Sequence, residues 1–167
     1  MAVAFATPTP AGTRTLAASL DMASPPEAAF GLLTSVEKWP VWLSFVRSAH
    51  LVSSAPLGLG SEILLRSALP GESEQLYEVD AFIPNFHLSL VGAYSIRRRL
   101  DFRIEQKTSR SKLHVAVAYP AYHGRMGYLL DGVVNGRKLA SSLDHALEHF
   151  RGLIEVRAES DHLLDDL

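Results

Sequence analysis

The chain contains no cysteine. That excludes disulfides, thiolate metal sites and cysteine nucleophiles together, and it fits a reducing compartment. A dominant charge is also missing. Sixteen Lys and Arg stand against 18 Asp and Glu, for a formal net charge of −2, so no global basic field draws nucleic acid or an anionic membrane. No stretch approaches the ~20 apolar residues that cross a bilayer. The opening run MAVAFATPTPAG lacks a positively charged n-region and is broken by Pro8 and Pro10, so it fails as a secretory signal. A nucleophile elbow, a phosphate loop and a dinucleotide fingerprint are absent too. Gly58 and Gly60 lack the third glycine and the strand-to-helix setting that such a fingerprint needs. The expectation is a cytoplasmic protein with no cofactor, no metal, no nucleic-acid partner and no integral membrane contact, as a monomer or homodimer.

What remains is ordinary globular composition, with 47% hydrophobic and 20% charged residues over 167 positions, enough for one domain with a real core. The expected division is a flexible leader at 1–11, a single domain at 12–157 and an acidic flexible tail at 158–167. The longest pattern runs from about Met126 to Val156. There Met126, Leu130, Val133, Gly136, Ala140, Leu143, Leu147, Phe150 and Ile154 recur at steps of three and four, one buried helical face. Gly132, Gly136 and Ala140 place small side chains between bulky ends. Glycine inside a helix costs roughly 0.5–1 kcal/mol against alanine, so its presence calls for a reason. One reason is close approach of a neighbouring backbone; the other is a cavity beneath the helix.

Upstream, Thr13–Met22 alternates as a first strand. Ser24-Pro25-Pro26-Glu27 predicts a helix start with Ser24 as cap and Glu27 completing a capping box. A second short helical piece carries Val36, Trp39, Trp42, Leu43, Phe45 and Val46, with a broken turn expected at Trp39 because Pro40 follows it. The pattern then turns β, with strands expected at 47–54, 60–68, 74–83, 86–92, 95–106 and 111–119. Between most of these lie turn residues: Pro56 with Gly58 and Gly60, Pro70-Gly71, Pro84-Asn85, Gly92, and Thr108-Ser109. Connections this short imply an antiparallel meander. The inward sets are Tyr77, Val79, Ala81 and Ile83; Ile96, Arg98, Leu100, Phe102 and Ile104; and Leu113, Val115, Val117 and Tyr119. The class is α+β, a seven-stranded curved antiparallel sheet wrapped around a long C-terminal helix, with two short helices between strands 1 and 2.

The helix start SPPEAAFGLL at 24–33, the segment VEKWPVWLSFV at 36–46, the Gly58-Leu59-Gly60-Ser61 turn into a strand and the closing LDHALEHFRGLIE at 143–155 fall in a familiar order. In this the chain resembles the START / polyketide cyclase–dehydrase superfamily (SRPBCC) and its helix-grip fold over residues 13–157. The resemblance implies a deep, largely apolar cavity between sheet and long helix. It implies no single activity, since carriers, receptors and cyclases share the fold.

Such a site needs apolar walls and a few placed polar groups. The candidate walls are Met126, Leu130 and Val133 from the helix, with Tyr77, Val79, Leu100 and Phe102 from the sheet. Trp42 either plugs the space between helix and sheet or contributes to a pocket rim. Arg98, in phase with Leu100 and Phe102, needs a partner if it is desolvated: a protein carboxylate, or a carboxylate or phosphate of a ligand. If the strand end lies outside the core, it is solvated instead. Arg137 is a weaker candidate near the helix stripe, snorkelling at its edge otherwise. Tyr94, Tyr119, Tyr122 and His123 flank the strand ends, where they either reach a ligand oxygen or pack their rings. His145 and His149 are four apart, but the order of the zinc-binding HExxH motif is absent. Arg97, Arg99 and Arg103 alternate with Asp101 and Glu105, a solvated strand face more than an RNA patch.

Three functions fit. The first is a carrier or sensor that binds a hydrophobic small molecule (lipid, quinone or polyketide-like). The second is a polyketide cyclase/aromatase-type enzyme using the same pocket to orient and dehydrate its substrate. The third is an interaction protein whose pocket is filled by its own side chains.

Overall fold

The computed structural model describes residues 12–67, 74–108, 110–120 and 136–165. In chain order the elements are β1 (Thr13–Met22), α1 (Pro26–Thr34), a 3-10 turn (Val36–Lys38), α2 (Trp39–Trp42), β2 (Val46–Leu51), β3 (Glu62–Ser67), β4 (Glu74–Ile83), β5 (His87–Gly92), β6 (Ser95–Lys107), β7 (Arg110–Pro120) and α3 (Gly136–Asp165). The strands form one antiparallel sheet of seven in the order β1-β7-β6-β5-β4-β3-β2. The meander expected from the short connections accounts for β2 to β7. The pairing of β1 with β7 does not follow from them, and it runs without a break from Thr13↔Pro120 to Met22↔Ser111.

Local chemistry explains most boundaries. Pro84 fixes its own φ, and Asn85 takes a left-handed φ of 63°, which closes the β4–β5 turn with Phe86 N–H donating to the Ile83 carbonyl. At the other glycine-dependent turn Gly60 has φ 79°, a conformation that a side chain would strain. Gly60 N–H donates to the Val79 carbonyl and Val79 N–H donates to that of Ser61, so this loop is laced onto β4.

Three local expectations are corrected. The N-cap of α1 is Pro25, with no side-chain cap. Ser24 is buried instead, its carbonyl accepts the Ser111 hydroxyl at 2.8 Å, and among the described residues its own Oγ has no partner, so tertiary packing displaces the capping box. Trp39 is helical (φ −56°, ψ −40°), not a break. Pro40 falls in the first turn of α2, where a missing N–H costs nothing. Trp39 is held there by its indole N–H, which donates to the Leu33 carbonyl at 2.9 Å. In β4 a register shift between Val79 and Ala81 reverses the facing. Phe82, opposite the buried Leu88, replaces Ala81 and Ile83 on the inner face, and Ile83 is exposed.

The core lies between the curled sheet and α1, α2 and α3. On α3 the buried residues are Leu139, Leu143, Ala146, Leu147, Phe150 and Ile154. Four of them (Leu143, Leu147, Phe150, Ile154) are on the expected stripe, while Ala140 is only half-buried. The helix also continues past Arg157 into the acidic segment, as far as Asp165. The expected helix start near Met126, together with Gly132, lies outside the described residues. Among the described residues no helix is long and apolar enough to cross a membrane.

Candidate functional site

The inner face of the sheet divides into two halves. Toward one end, where β1 leads into α1, the inward side chains of β1, β5 and β7 are tightly covered. Leu20 stands opposite Leu113, Ile104 opposite Leu113 from the other side, and Phe102 opposite both Val115 and Leu88. All are buried. Aromatic rings seal this half from above. Phe30 of α1 meets Phe82 edge-on at 5.5 Å, and Trp39 lies 5.8 Å from Phe102. Trp42 bridges the sheet and α3, with ring centroids 6.1 Å from Phe102 and 4.8 Å from Phe150. Such edge-to-face pairs contribute about 0.5–1.5 kcal/mol beyond area burial.

Trp42 is therefore enclosed, in the plug arrangement and not at a rim. Among the described residues its indole N–H has no hydrogen-bond partner, whereas that of Trp39 does. An unpaired buried donor costs roughly 1–3 kcal/mol, so this N–H is a place where an acceptor atom would be welcome.

Toward the other end the same inward positions change character. On β1, burial falls from Met22 and Leu20 to the half-buried Ala18, Leu16 and Arg14. Arg14 pairs in register with Tyr119. The β6–β7 register runs through Leu100↔Val117 to Arg99↔Ala118, and Arg98 and Tyr119 each lie one residue beyond that last pair. All three are half-buried, and each is already engaged in an interaction within the protein. Further round the curl, Tyr77, Gln75 and Ser67 occupy inward positions of β4 and β3, facing Ile63, Leu65 and Val46 of their neighbour strands. These polar side chains together belt the inner face at this end, whereas at the opposite end the described in-phase positions of β1, β6 and β7 are apolar apart from Ser111 and Gln106.

Of the residues proposed from sequence, Tyr77, Val79, Leu100 and Phe102 are buried on the inner face, and Arg98 and Tyr119 are half-buried, each one residue beyond the Arg99↔Ala118 pair. Met126, Leu130, Val133, Tyr122 and His123 lie outside the described residues. Tyr94 is 87% exposed and Arg137 is exposed. His145 and His149 are exposed on α3, and among the described residues no three His, Asp or Glu side chains gather as a metal site. Sequence reasoning misses Arg14, Gln75 and Ser67. For Arg14 a signal is present, since it keeps phase with Leu16, Ala18 and Leu20.

The outer face is organised by ion pairs. Arg99 meets Asp80 at 2.7 Å and donates to the Ser89 hydroxyl at 2.8 Å. Asp101 lies between His87 Nε2 at 3.0 Å and Arg103 Nε at 2.9 Å. Arg99 and Arg103 are thus spent on acids of the same face, so neither is left over for a polyanion.

No protein-family model matches the chain, and no curated protein matches its sequence. Solved structures do match in three dimensions. TTHA0849 from Thermus thermophilus superposes with a TM-score of 0.70 at 16% identity, over 86% of this chain and 99% of that one. The Zhui aromatase/cyclase from Streptomyces sp. R1128 gives 0.63 at 15%, over 87% and 96%. A START superfamily protein from Mycobacterium smegmatis gives 0.60 at 16%, over 84% and 97%. The chain has the helix-grip fold. At these identities the likeness establishes architecture and leaves the chemistry to the residues. In the helix-grip arrangement the inner face of the sheet and the long helix face each other, so the polar belt and the dry half lie at the two ends of one concave surface.

Proposed function

We propose that this protein binds a hydrophobic small molecule, lipid-, quinone- or polyketide-like, between the sheet and the C-terminal helix, as a carrier or sensor. The observation that carries this reading is the gradient on the inner face. Apolar residues such as Leu16 and Ala18 keep the inward phase but are only half-buried, whereas Leu20 on the same face of the same strand is covered. An apolar surface that protein does not fully cover is suited to a guest. The unpaired indole N–H of Trp42 adds one buried donor for a ligand oxygen or a water. Tyr77, Val79, Leu100 and Phe102 would furnish wall, Arg98 and Tyr119 the polar end, and Met126, Leu130 and Val133 the helical side.

The aromatase/cyclase alternative needs groups that move protons during aldol condensation and dehydration. Among the described residues the inward strand positions carry no Asp, Glu or His, and Tyr119, Tyr122 and His123 are the sequence's candidates for that chemistry. The binding reading makes no such demand. Solvent extraction of the purified protein followed by mass spectrometry tests it: a lipophilic compound is expected in near-stoichiometric amount. A protein that yields none, and that takes up no fluorescent hydrophobic probe, is not a carrier.

A further inference from the structure

We infer that β1 is a docking edge for a second copy of this chain, and that two β1 strands pair antiparallel across a twofold axis, joining two sheets into one.

The two borders of the sheet are built differently. β2 closes one border with six residues, a register shift between Val46 and Ser48, and the exposed Arg47 and His50. The 3-10 turn and α2 pack against it. Shortness, irregularity, charge and cover are the usual means by which an edge is kept from pairing with another chain. β1 closes the other border with little of this. It is ten residues long, contains no proline or lysine, and keeps an unbroken register with β7 from end to end. Its outward side chains Thr15, Ala17 and Ser19 are exposed, small and uncharged. Among the described residues β7 is its one strand neighbour, and although α3 touches β1, no backbone hydrogen bond reaches it from outside the sheet. One flank of its amides and carbonyls is therefore left for a further strand.

The strand's own sequence selects the occupant. A twofold axis sets an antiparallel strand against its copy, so each residue has to tolerate another from the same strand. With the axis at Ala17, Thr15 stands opposite Ser19 and Leu16 opposite Ala18. With the axis at Ala18, Ala17 stands opposite Ser19 and Leu16 opposite Leu20. In both registers small residues meet on the outer side, apolar residues meet on the inner side, and no like charges face each other. The two charges of β1, Arg14 and Asp21, lie toward its opposite ends. An antiparallel copy sets the basic end beside the acidic one, a favourable arrangement across a strand pair. An unrelated strand carries no such built-in match.

Ten residues of edge bury less than a standard interface, so a dissociation constant in about the micromolar range is expected. Sedimentation velocity of the full chain, from about 1 to 200 µM, reads it directly. The wild-type chain is expected to form a concentration-dependent dimer. Ala17→Lys and Ala17→Glu, each alone, should weaken it at least roughly tenfold, because like charges then crowd the axis. An equimolar mixture of the two should restore association as a heterodimer, a rescue that misfolded variants could not give. His50→Lys, on the β2 border, should leave the dimer unchanged. A wild-type chain that stays monomeric throughout overturns the inference without any variant having to fold, even if it captures an unrelated extended peptide. A dimer indifferent to both Ala17 variants also overturns it, as does one that their mixture fails to restore or that His50→Lys disrupts equally.

Discussion

The two halves of the inner face are built from the same seven strands, yet they differ in burial and polarity. The half beneath α1 and α2 is closed by aromatic rings and buries Phe102, Leu113 and Leu20 almost completely. The half reached by the start of β1 and the end of β7 keeps the same inward alternation but holds Arg14, Tyr119 and Arg98 at partial exposure. The first supplies the stability that the second gives up. Functional surfaces are commonly found at the less stable end of a structure, because a site ready to exchange its contacts cannot also be a locked core.

The comparison can be broken by mutation. The largest expected effect is from Phe102→Ala, which empties the space shared by Trp39 and Trp42 and should cost about 3–5 kcal/mol in denaturant unfolding. A loss below ~1 kcal/mol would mean that the sealed half is not the core. Next is a matched pair on one strand. Leu20→Ala should cost about 2–4 kcal/mol and Leu16→Ala about half as much, because the same truncation leaves a smaller cavity where the side chain is already partly wet. Equal losses would erase the distinction between the halves.

The tryptophans sharpen it further. Trp39→Phe removes the hydrogen bond to the Leu33 carbonyl, and Trp42→Phe removes none, so the first should cost about 1 kcal/mol more than the second. The reverse order would show that the Trp42 N–H has an acceptor in solution. The smallest effect is Tyr119→Phe at the polar end, expected to change stability by less than about 1 kcal/mol. A loss comparable with that of Leu20→Ala would place Tyr119 in the core.

Much of this architecture is legible without coordinates. Strand limits follow from turn residues whose geometry is local, such as Pro84-Asn85 and Gly60, and the six-strand meander follows from connection length. What escapes the sequence is non-local. The β4 bulge at Asp80 breaks the alternation without an unusual residue to announce it, so simple alternation puts Phe82 outside and Ile83 inside, against the structure. Ser24 has the chemistry of a cap but is taken up by packing against Ser111. Arg98 is visible because its strand alternates cleanly. Arg14 acquires meaning only when β7 lies beside β1, a pairing between segments far apart in the chain that periodicity does not report. Trp39 shows the opposite error, a local proline rule applied where the first turn of a helix relaxes it.

That pairing also orders events in time. β1 is the first of these strands that a ribosome releases and the last that can be seated, since its only partner in the sheet is β7. Until then the newly made β7 has an open flank of unpaired amides and carbonyls, and β1 is a loose end searching for it across most of the domain. Closure at such separation is slow and exposes a template for self-association meanwhile. The same step that completes the sheet brings Arg14 beside Tyr119, so that end of the inner face takes shape only when the two chain-distant strands meet.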